Sequence, residues 1–470
     1  MSMDYMSWLP TIAKAAYFIA AVMFILGIKR MASPVTARKG IVQAGWGMVI
    51  ATAATFGITR GHNLWLILGA LAVGIIPAWI KAKSVAMTAM PQQVALYNGL
   101  GGGSAAMIGA VELLRFAGEG SQPGVVVLTA AVIGALIGSV SLTGSIIAWA
   151  KLDGVLDKRF TFAGQQYFNL LIFLAAVGSG AALFFGLDVK IIIAFFVLAL
   201  VFGVAMTLPI GGADMPVVIS LFNAFTGLAV AFEGFVLQNE ALIIAGMVVG
   251  AAGMLLTQLM AKAMNRPISG VLFSNFGGGG ASASEIKGSM RGIEAPDAAS
   301  LLYLAEKVII VPGYGMAVAQ AQHKIWELTK LLRARDKEVK FAIHPVAGRM
   351  PGHMNVLLAE AGVPYDLIAD MDDINPEFAT CDVAIVIGAN DVVNPVAKTD
   401  KSSPIYGMPI LDVVNARQVI VIKRGKGTGF AGIENALFYA DNCKMLYADG
   451  SEAANKLAAE LKALDGGGGH

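Results

Sequence analysis

The stretch Val308-Ile-Ile-Val-Pro-Gly-Tyr-Gly-Met-Ala-Val318 decides the fold of the C-terminal part of the chain. Its first four residues are apolar and β-branched, which is typical of a fully buried strand. A glycine-rich turn follows, and the pattern from 317 to 335 predicts a helix. A dinucleotide site requires a strand, a glycine turn and a helix in this order. The motif is weak alone because Val318 stands at the third glycine position, although backbone amides in the turn can still bind a pyrophosphate.

The same alternation continues towards the end of the chain. Strands that alternate with helices indicate a parallel, doubly wound α/β sheet. In such sheets ligands bind outside the carboxyl ends of the strands, so the residues that follow each strand are the candidate binding residues. Further strands are predicted at 340–343, 382–387, 419–422 and 445–447, and a last helix at 451–464.

The residues that follow the strands favour NADP over NAD as the ligand. His344-Pro-Val-Ala-Gly-Arg349 comes after the second strand and contains no acidic residue that would bind a ribose 2′-hydroxyl. Lys423 and Arg424 follow the strand 419–422 and suit a 2′-phosphate instead. A solvent-exposed basic pair at a strand end is the plainer alternative for these two residues.

The chain before residue 265 differs in composition from the rest. Over the whole chain 56% of the residues are hydrophobic and 14% are charged, whereas soluble domains carry about 25% charged residues. Charges are sparse in this first part, and a membrane-spanning helix needs about 20 mostly apolar residues. Nine segments meet that requirement, near 9–28, 41–59, 63–80, 92–114, 124–149, 167–187, 190–209, 216–236 and 241–261.

These patterns predict three regions: a membrane domain at 1–265, a glycine-containing linker at 266–300 and a nucleotide-binding domain at 301–470. Eleven Lys and Arg residues fall in one set of loops between the spans and three in the opposite set. Because basic loops stay in the cytoplasm, the N-terminus is predicted outside and the C-terminal domain inside. The two cysteines, Cys381 and Cys443, form no Cys-x-x-Cys pair and fit a reducing cytoplasm.

Polar residues at membrane depth are candidates for function. Asn98 and Asn223 each lie seven residues into a span, so both amides are expected roughly 10 Å deep. Equal depth permits contact, and an interhelical hydrogen bond that only stabilises the bundle explains the pair equally well. Asp214 lies at the mouth between two spans. Glu112 and Glu233, like Arg115, lie near the outer ends of spans, which favours a solvated position.

Several longer stretches resemble one family over nearly the whole chain: the beta subunits of bacterial proton-translocating NAD(P) transhydrogenases. The resemblance implies a polytopic α-helical membrane domain followed by a Rossmann-like NADP(H)-binding domain. It also implies reversible hydride transfer between NADH and NADP+, coupled to inward proton movement. The stretches that carry it are Gly-Gly-Ala-Asp-Met-Pro-Val-Val (211–218), Lys-Ala-Met-Asn-Arg (262–266) and the segments 312–322, 344–361, 386–391 and 421–424.

The resemblance further implies which residues bind NADP(H). Among them, Asp391 is expected near the nicotinamide, where it would sense the redox state or relay a proton. Phe430 replaces a tyrosine of other members, which removes a hydroxyl. The implied contacts are Tyr314, Val346, Ala347, Gly348, Arg349, Met350, Pro351, Gly388, Ala389, Asn390, Asp391, Val392, Gly407, Met408, Lys423, Arg424, Gly425, Lys426, Gly427, Thr428, Gly429, Phe430, Asp449 and Gly450.

In the membrane part, the resemblance connects Asp214 and Asn223 to proton translocation and Arg266 to the hinge before the nucleotide-binding domain. Some members carry a histidine where this chain has Asn98, so we expect a histidine on a helix of a partner subunit instead. Pro267 replaces a serine next to the hinge.

The resemblance also implies partners. NAD(H) would bind an alpha subunit, and the complex would be a dimer of alpha–beta units in the bacterial inner membrane, without nucleic acid. The alternative function is a transporter or channel gated by a nucleotide, which would need no partner dehydrogenase. A membrane dehydrogenase that reduces quinone would need flavin, haem or iron–sulfur, and this chain has too few cysteines for a cluster and no suitable membrane histidine pair for haem.

Overall fold

The computed structural model describes most of the chain and divides it into two compact units, Met1–Thr257 and Gln258–His470. Each unit is described by itself below. The described residues are 5–58, 63–120, 122–156, 160–211, 214–265, 267–273, 288–349, 352–403, 405–425, 427–429 and 431–466.

The first unit is built of helices. Among the described residues, eight helices are long and apolar enough to cross a membrane, which confirms a polytopic membrane domain. The sixth of the nine predicted spans falls on α6, which has 18 residues, begins with two glutamines and is not among these eight. The helices are α1 (Tyr5–Met31), α2 (Pro34–Ile58), α3 (Leu64–Ser84), α4 (Met90–Glu119), α5 (Val125–Leu152), α6 (Gln165–Ala182), α7 (Val189–Thr207), α8 (Met215–Val236) and α9 (Glu240–Ala263).

Small residues allow the central helices α4, α5 and α8 to pack closely. The run Gly101-Gly102-Gly103 lies inside α4, which is helical from Met90 to Glu119. A Cβ at Gly102 would lie 2.9 Å from Cβ of Ser141 and 3.0 Å from the carbonyl oxygen of Gly138, both on α5. The run therefore serves close helix packing. The three glycines do not interrupt α4, because the helix continues from Met90 to Glu119.

The outer helices α1, α2 and α3 are much less buried than the central helices. No described residue of α3 is buried, and α1 and α2 pack mainly on each other. Apolar side chains such as Trp65, Val73 and Trp79 on α3 are exposed. A bilayer or other apolar surroundings must cover these faces, because water would not tolerate so large an apolar surface.

The second unit contains a six-stranded sheet in which every pair of neighbours is parallel. The order β3-β2-β1-β4-β5-β6 reverses direction between β1 and β4, as in doubly wound dinucleotide-binding sheets. Strand β4 is buried along its whole length, so both faces of the sheet are covered. The strands are β1 (Lys307–Pro312), β2 (Glu338–Ile343), β3 (Ile368–Asp370), β4 (Val383–Ile387), β5 (Gln418–Lys423) and β6 (Cys443–Tyr447).

The five predicted strands and the last helix are confirmed, and two details differ. The helix predicted at 317–335 is two helices, with a break in which Gln320 has φ 49°. Strand β3 was not predicted, because it has only three residues. The helices of this unit are α10 (Ile268–Phe273), α11 (Ala295–Leu304), α12 (Tyr314–Val318), α13 (Gln322–Arg333), α14 (His353–Glu360), α15 (Met371–Ile374), α16 (Val396–Thr399) and α17 (Gly450–Gly466).

The close contact between α8 and α9 gives a first prediction. A Cβ at Gly227 would lie 2.5 Å from the amide nitrogen of Gly250 and 3.0 Å from the carbonyl oxygen of Gly246. Gly227→Ala should therefore destabilise the chain by about 1–3 kcal/mol. The measurement is the thermal midpoint of the purified chain in detergent. Gly178→Ala is the control, since nothing lies within 4 Å of a Cβ there, and it should leave the midpoint unchanged or raise it.

Candidate nucleotide site and polar clusters of the membrane unit

The turn after β1 lies directly against the turn after β4. The amide of Gly315 donates to the carbonyl oxygen of Gly388 (2.9 Å), and the amide of Gly313 donates to that of Ile387 (2.9 Å). A Cβ at Gly315 would lie 2.6 Å from Cα of Gly388, and Gly388 has φ +69°. Only glycines fit this contact, which lies at the switch point of the sheet, next to the start of α12.

The segment after β2 is held by two buried histidines. His344 Nε2 lies 2.8 Å from the carbonyl oxygen of Pro409, and its Nδ1 accepts from the amide of Val346 (3.2 Å). His353 Nδ1 accepts from the amide of Arg349 (3.1 Å). Burial lowers the pKa of His344 to about 4. It also lowers the pKa of His353, with a smaller contribution from Arg349, so both imidazoles are neutral at pH 7.

Arg349 and Tyr314, two of the predicted NADP(H) contacts, lie next to each other and close to His353. The guanidinium carbon of Arg349 lies 4.6 Å from the ring centroid of Tyr314, and the rings of Tyr314 and His353 are 6.1 Å apart. His353 Nε2 is buried and has no hydrogen-bond partner among the described residues. The cluster therefore offers a cation, an aromatic face and a spare ring nitrogen at the carboxyl ends of β1 and β2.

Asp391 connects the turn after β4 to the loop after β5. Its Oδ2 accepts from the amide of Ala431 (2.9 Å), and a Cβ at Gly429 would lie 2.8 Å from its carboxylate carbon. Asn435 donates to the carbonyl oxygen of Asn390 (2.9 Å) and to its side-chain oxygen (3.0 Å). The side chain of Asp391 thus lies against Gly429 and Ala431 of the loop after β5.

Lys423 occupies the end of β5 in a partly buried position. Its ammonium group lies 4.7 Å from the ring centroid of Phe438 and donates to the carbonyl oxygen of Gly427. Burial lowers the pKa of Lys423, and the negative charge of Asp391 opposes that shift. Arg424 next to it is exposed. The basic pair thus comprises one half-buried cation and one exposed cation.

The remaining predicted contacts lie near the same edge of the sheet. Asp449 Oδ1 accepts from the amide of Ser451 (3.0 Å) at the start of α17. Met408 is buried beside Ile405 and Ile410, and the segment that contains it is joined to the β2 loop by the bond between Pro409 and His344. Met350, Pro351, Lys426, Phe430 and the hinge residue Arg266 lie outside the described residues.

In the membrane unit, Asn98 belongs to a polar cluster between α4, α5 and α8. Its Nδ2 donates to Ser145 Oγ (3.0 Å), and its carbonyl oxygen accepts from Thr226 Oγ1 (3.4 Å). Ser141 Oγ lies 2.6 Å from Thr226 Oγ1 and donates to the carbonyl oxygen of Phe222 (3.1 Å). Among the described residues, no hydrogen bond joins Asn98 to Asn223, whose side chain is half-buried.

Asp214 and Lys151 lie at the ends of membrane helices. Asp214 precedes α8 and is 9% exposed. Lys151, in the last turn of α5, donates to the carbonyl oxygens of Leu208 and Ile210 just after α7. Lys151 thus satisfies terminal carbonyl groups after α7, and the negative charge of Asp214 lies at the N-terminal end of α8, where the helix dipole favours it.

The structure corrects the prediction for Glu233. Arg115 forms an exposed ion pair with Glu119 (3.0 Å), as expected near the end of a span. Glu233 is only 1% exposed, and neither of its carboxylate oxygens has a hydrogen-bond partner among the described residues. A solvated position is therefore wrong for Glu233, because α4 and α5 cover it.

Sequence reasoning did not single out several residues that build these sites. His344 and His353 fall within the segment 344–361 but are not themselves predicted contacts, and Asn435, Ser145 and Thr226 lie outside every predicted site. The signal for the histidines was their place after a strand, since His344 directly follows β2 and His353 comes ten residues after its end. For Ser145 and Thr226 no local signal exists, because their partners are 47 and 128 residues away in sequence.

These features define a polytopic membrane protein with a Rossmann-like nucleotide-binding domain. The family model for the NAD(P) transhydrogenase beta subunit matches residues 13–460. The chain is 45% identical to the NAD(P) transhydrogenase subunit beta of Rhodospirillum rubrum over 470 residues, which covers 96% of this chain and 99% of the relative. A second sequence of that name, from a particular strain of the same species, matches equally well.

The chain therefore belongs to the NAD(P) transhydrogenase beta subunit family. This membership confirms the predicted resemblance. Together with the sheet order and the apolar helices, it supports a transhydrogenase subunit that binds a nicotinamide nucleotide and pairs with an alpha subunit. It does not support a nucleotide-gated channel.

The buried His344 gives a prediction about acid stability. The unfolded chain protonates this histidine near pH 6.5, whereas the folded chain does so only near pH 4. The unfolded state binds the proton first, so stability falls as the pH drops from 6.5 towards 4. Between about pH 7 and pH 5 the loss should be roughly 2 kcal/mol. His344→Gln, which can still donate to Pro409, should lose less.

The measurement is hydrogen exchange of peptides from β2 and β4 in the full chain in detergent, corrected for intrinsic rates. His323→Gln is the matched control, since His323 lies exposed on α13. An equal loss of protection in the wild-type chain and in His344→Gln would contradict the assignment.

Proposed function

We propose that this chain is the NADP(H)-binding, proton-translocating subunit of a Re/Si-specific NAD(P)+ transhydrogenase, active only with an alpha subunit that binds NAD(H). The observation that carries the proposal is the glycine-mediated contact between the turns after β1 and β4. That contact lies at the switch point of the sheet, the place where doubly wound sheets bind dinucleotides. The chain belongs to this family, and its first unit consists of apolar helices.

The residues around the crevice fit NADP(H). Backbone amides at the start of α12 suit a pyrophosphate, since glycines let a ligand approach closely. Tyr314 with Arg349 offers a flat cationic face, and Lys423 with Arg424 suits the 2′-phosphate that distinguishes NADP from NAD. The other proposed contacts are the described residues at 346–349, 388–392, 407–408, 425–429 and 449–450, together with Met350, Pro351, Lys426 and Phe430.

When bound, NADP(H) supplies the nicotinamide carbon that gives or receives the hydride. This chain holds and orients the nucleotide and needs no general acid or base for that transfer. Asp391 holds Ala431, in the loop after β5, by accepting from its amide. Any change in its protonation would loosen that loop, so Asp391 is placed to report the state of the site to the rest of the domain.

The membrane domain is proposed to move protons through a path that includes Asn98, Asp214 and Asn223. Asn98 bonded to Ser145 provides hydroxyl and amide groups but no group that titrates near pH 7. A histidine on a helix of the alpha subunit would complete the path. Proton binding would then bias the NADP(H) domain through the hinge at Arg266, which is a coupling between two sites.

The proposal extends to topology and assembly. The membrane domain comprises residues 1–265, the linker 266–300 and the NADP(H)-binding domain 301–470. The distribution of Lys and Arg among the loops supports an N-terminus outside the bacterial inner membrane and a cytoplasmic C-terminal domain. The complex would be a dimer of alpha–beta units.

The proposed 2′-phosphate site predicts a change of nucleotide preference. Lys423→Gln or Arg424→Gln should weaken NADPH binding to the full chain roughly tenfold to a hundredfold and leave NADH binding unchanged, because each substitution removes a charge-assisted hydrogen bond. Titration calorimetry in detergent measures both affinities. Lys456→Gln on α17, which removes an exposed cation paired with Glu452, is the control. Equal weakening for both nucleotides would contradict the assignment.

Coupling is tested in vesicles that contain this chain and an alpha subunit. Hydride transfer from NADH to NADP+, followed by absorbance, should occur together with proton movement reported by a pH-sensitive dye. Asp214→Asn should reduce both together, because the two are coupled. Hydride transfer without any proton movement would overturn the coupled function, and flux switched by NADPH through this chain alone would favour a transporter.

A further inference from the structure

Glu233, in the last turn of α8, is the one carboxylate buried deep within the described part of the membrane unit without a partner. It is 1% exposed, and both of its oxygens lack a hydrogen-bond partner among the described residues. An ionised carboxylate in such a place costs several kcal/mol unless a donor or a cation compensates it. A group in this position is neutralised by binding a proton.

The packing around Glu233 leaves space only for its carboxyl group. A Cβ at Gly109 on α4 would lie 2.7 Å from Glu233 Oε1, and a Cβ at Gly134 on α5 would lie 2.6 Å from the same atom. Two neighbouring helices thus carry glycine where the carboxyl group lies. The glycines make room for the group and offer it no side-chain donor.

Glu112 connects this buried carboxyl to the surface. It lies three residues after Gly109, on the same face of α4, and its Oε2 lies 3.7 Å from Nη1 of Arg115. Its side chain is 15% exposed, whereas those of Arg115 and Glu119, which follow on α4, are 60% and 52% exposed. The exposure of the carboxylates thus rises stepwise from Glu233 through Glu112 to Glu119.

Near this end of α8, the charged groups at the start of α7, Asp188 and Lys190, are exposed. Within the described residues, α5 carries only Lys151, in its last turn near the opposite end of the helix. Glu240, at the start of α9, is exposed. Asp214 precedes α8, so nineteen residues separate it from Glu233, or about 28 Å of helix. That length approaches the thickness of a bilayer core.

We propose that Glu233 is a proton-binding site of the membrane unit, reached through Glu112 and located at the end of α8 opposite Asp214. The proton binds a carboxylate oxygen of Glu233 and leaves from the same oxygen, so no other reactant is needed. This inference rests on the proposed function, and it extends the polar path along α8 beyond Asn223 to the far end of the helix.

Infrared spectroscopy of the full chain in detergent tests proton binding without an alpha subunit or nucleotide. At neutral pH the wild-type chain should show the carbonyl stretch of a protonated carboxylic acid in a dry site. Glu233→Gln, which keeps the shape of the side chain, should remove that band, and Glu240→Gln should keep it. Absence of the band from the wild-type chain, or its persistence in Glu233→Gln, would overturn the proposal.

Vesicles with the alpha subunit test the role in translocation. Proton movement by Glu233→Gln should fall about tenfold or more, Glu233→Asp should restore part of it, and Glu240→Gln should match the wild type. Proton movement at the wild-type rate in Glu233→Gln would contradict a role of this residue in translocation. Wild-type vesicles that transfer hydride without moving protons would instead refute the coupled function, while the infrared result would still decide proton binding at Glu233.

Discussion

The structure of the C-terminal domain depends on one backbone contact, the hydrogen bond from the amide of Gly315 to the carbonyl oxygen of Gly388. It draws the turn after β1 onto the turn after β4, where the strand order reverses. Any side chain at either glycine would separate the two turns. Asp391 lies three residues after Gly388, so this contact also positions Asp391. Asp391 in turn holds the loop after β5.

The membrane unit obeys a different constraint, since polar groups within a bilayer must find partners inside the protein. Asn98, Ser141 and Thr226 satisfy this rule through bonds between α4, α5 and α8. Lys151 satisfies it by donating to backbone carbonyls after α7. Glu233 departs from this rule with a whole ionisable group, because both of its carboxylate oxygens are buried without a partner among the described residues. An unsatisfied ionisable group at membrane depth is where function is expected.

Much of the fold was predictable because its signals are local. Val308 to Val311 form a β-branched apolar run, which indicated a buried strand. The membrane spans are long apolar segments, which indicated helices that cross a bilayer. The break near Gln320 was not predictable, since alanine and glutamine are good helix formers and give no stop signal. The place of Glu233 within its predicted span indicated how deep in the bilayer the residue lies. The face of α8 that carries it depends on how α4 and α5 pack, which no local pattern contains.

The parallel pairing of β1 with β4 also affects how the protein is made. Val308 pairs with Val383, 75 residues later in the chain, so the centre of the sheet cannot form until most of the domain has left the ribosome. Contacts between residues far apart in sequence form slowly. The apolar helices, which are synthesised first, are therefore available for insertion into the bilayer while the C-terminal domain is still unfolded. Synthesis thus separates in time the two halves that must later work together.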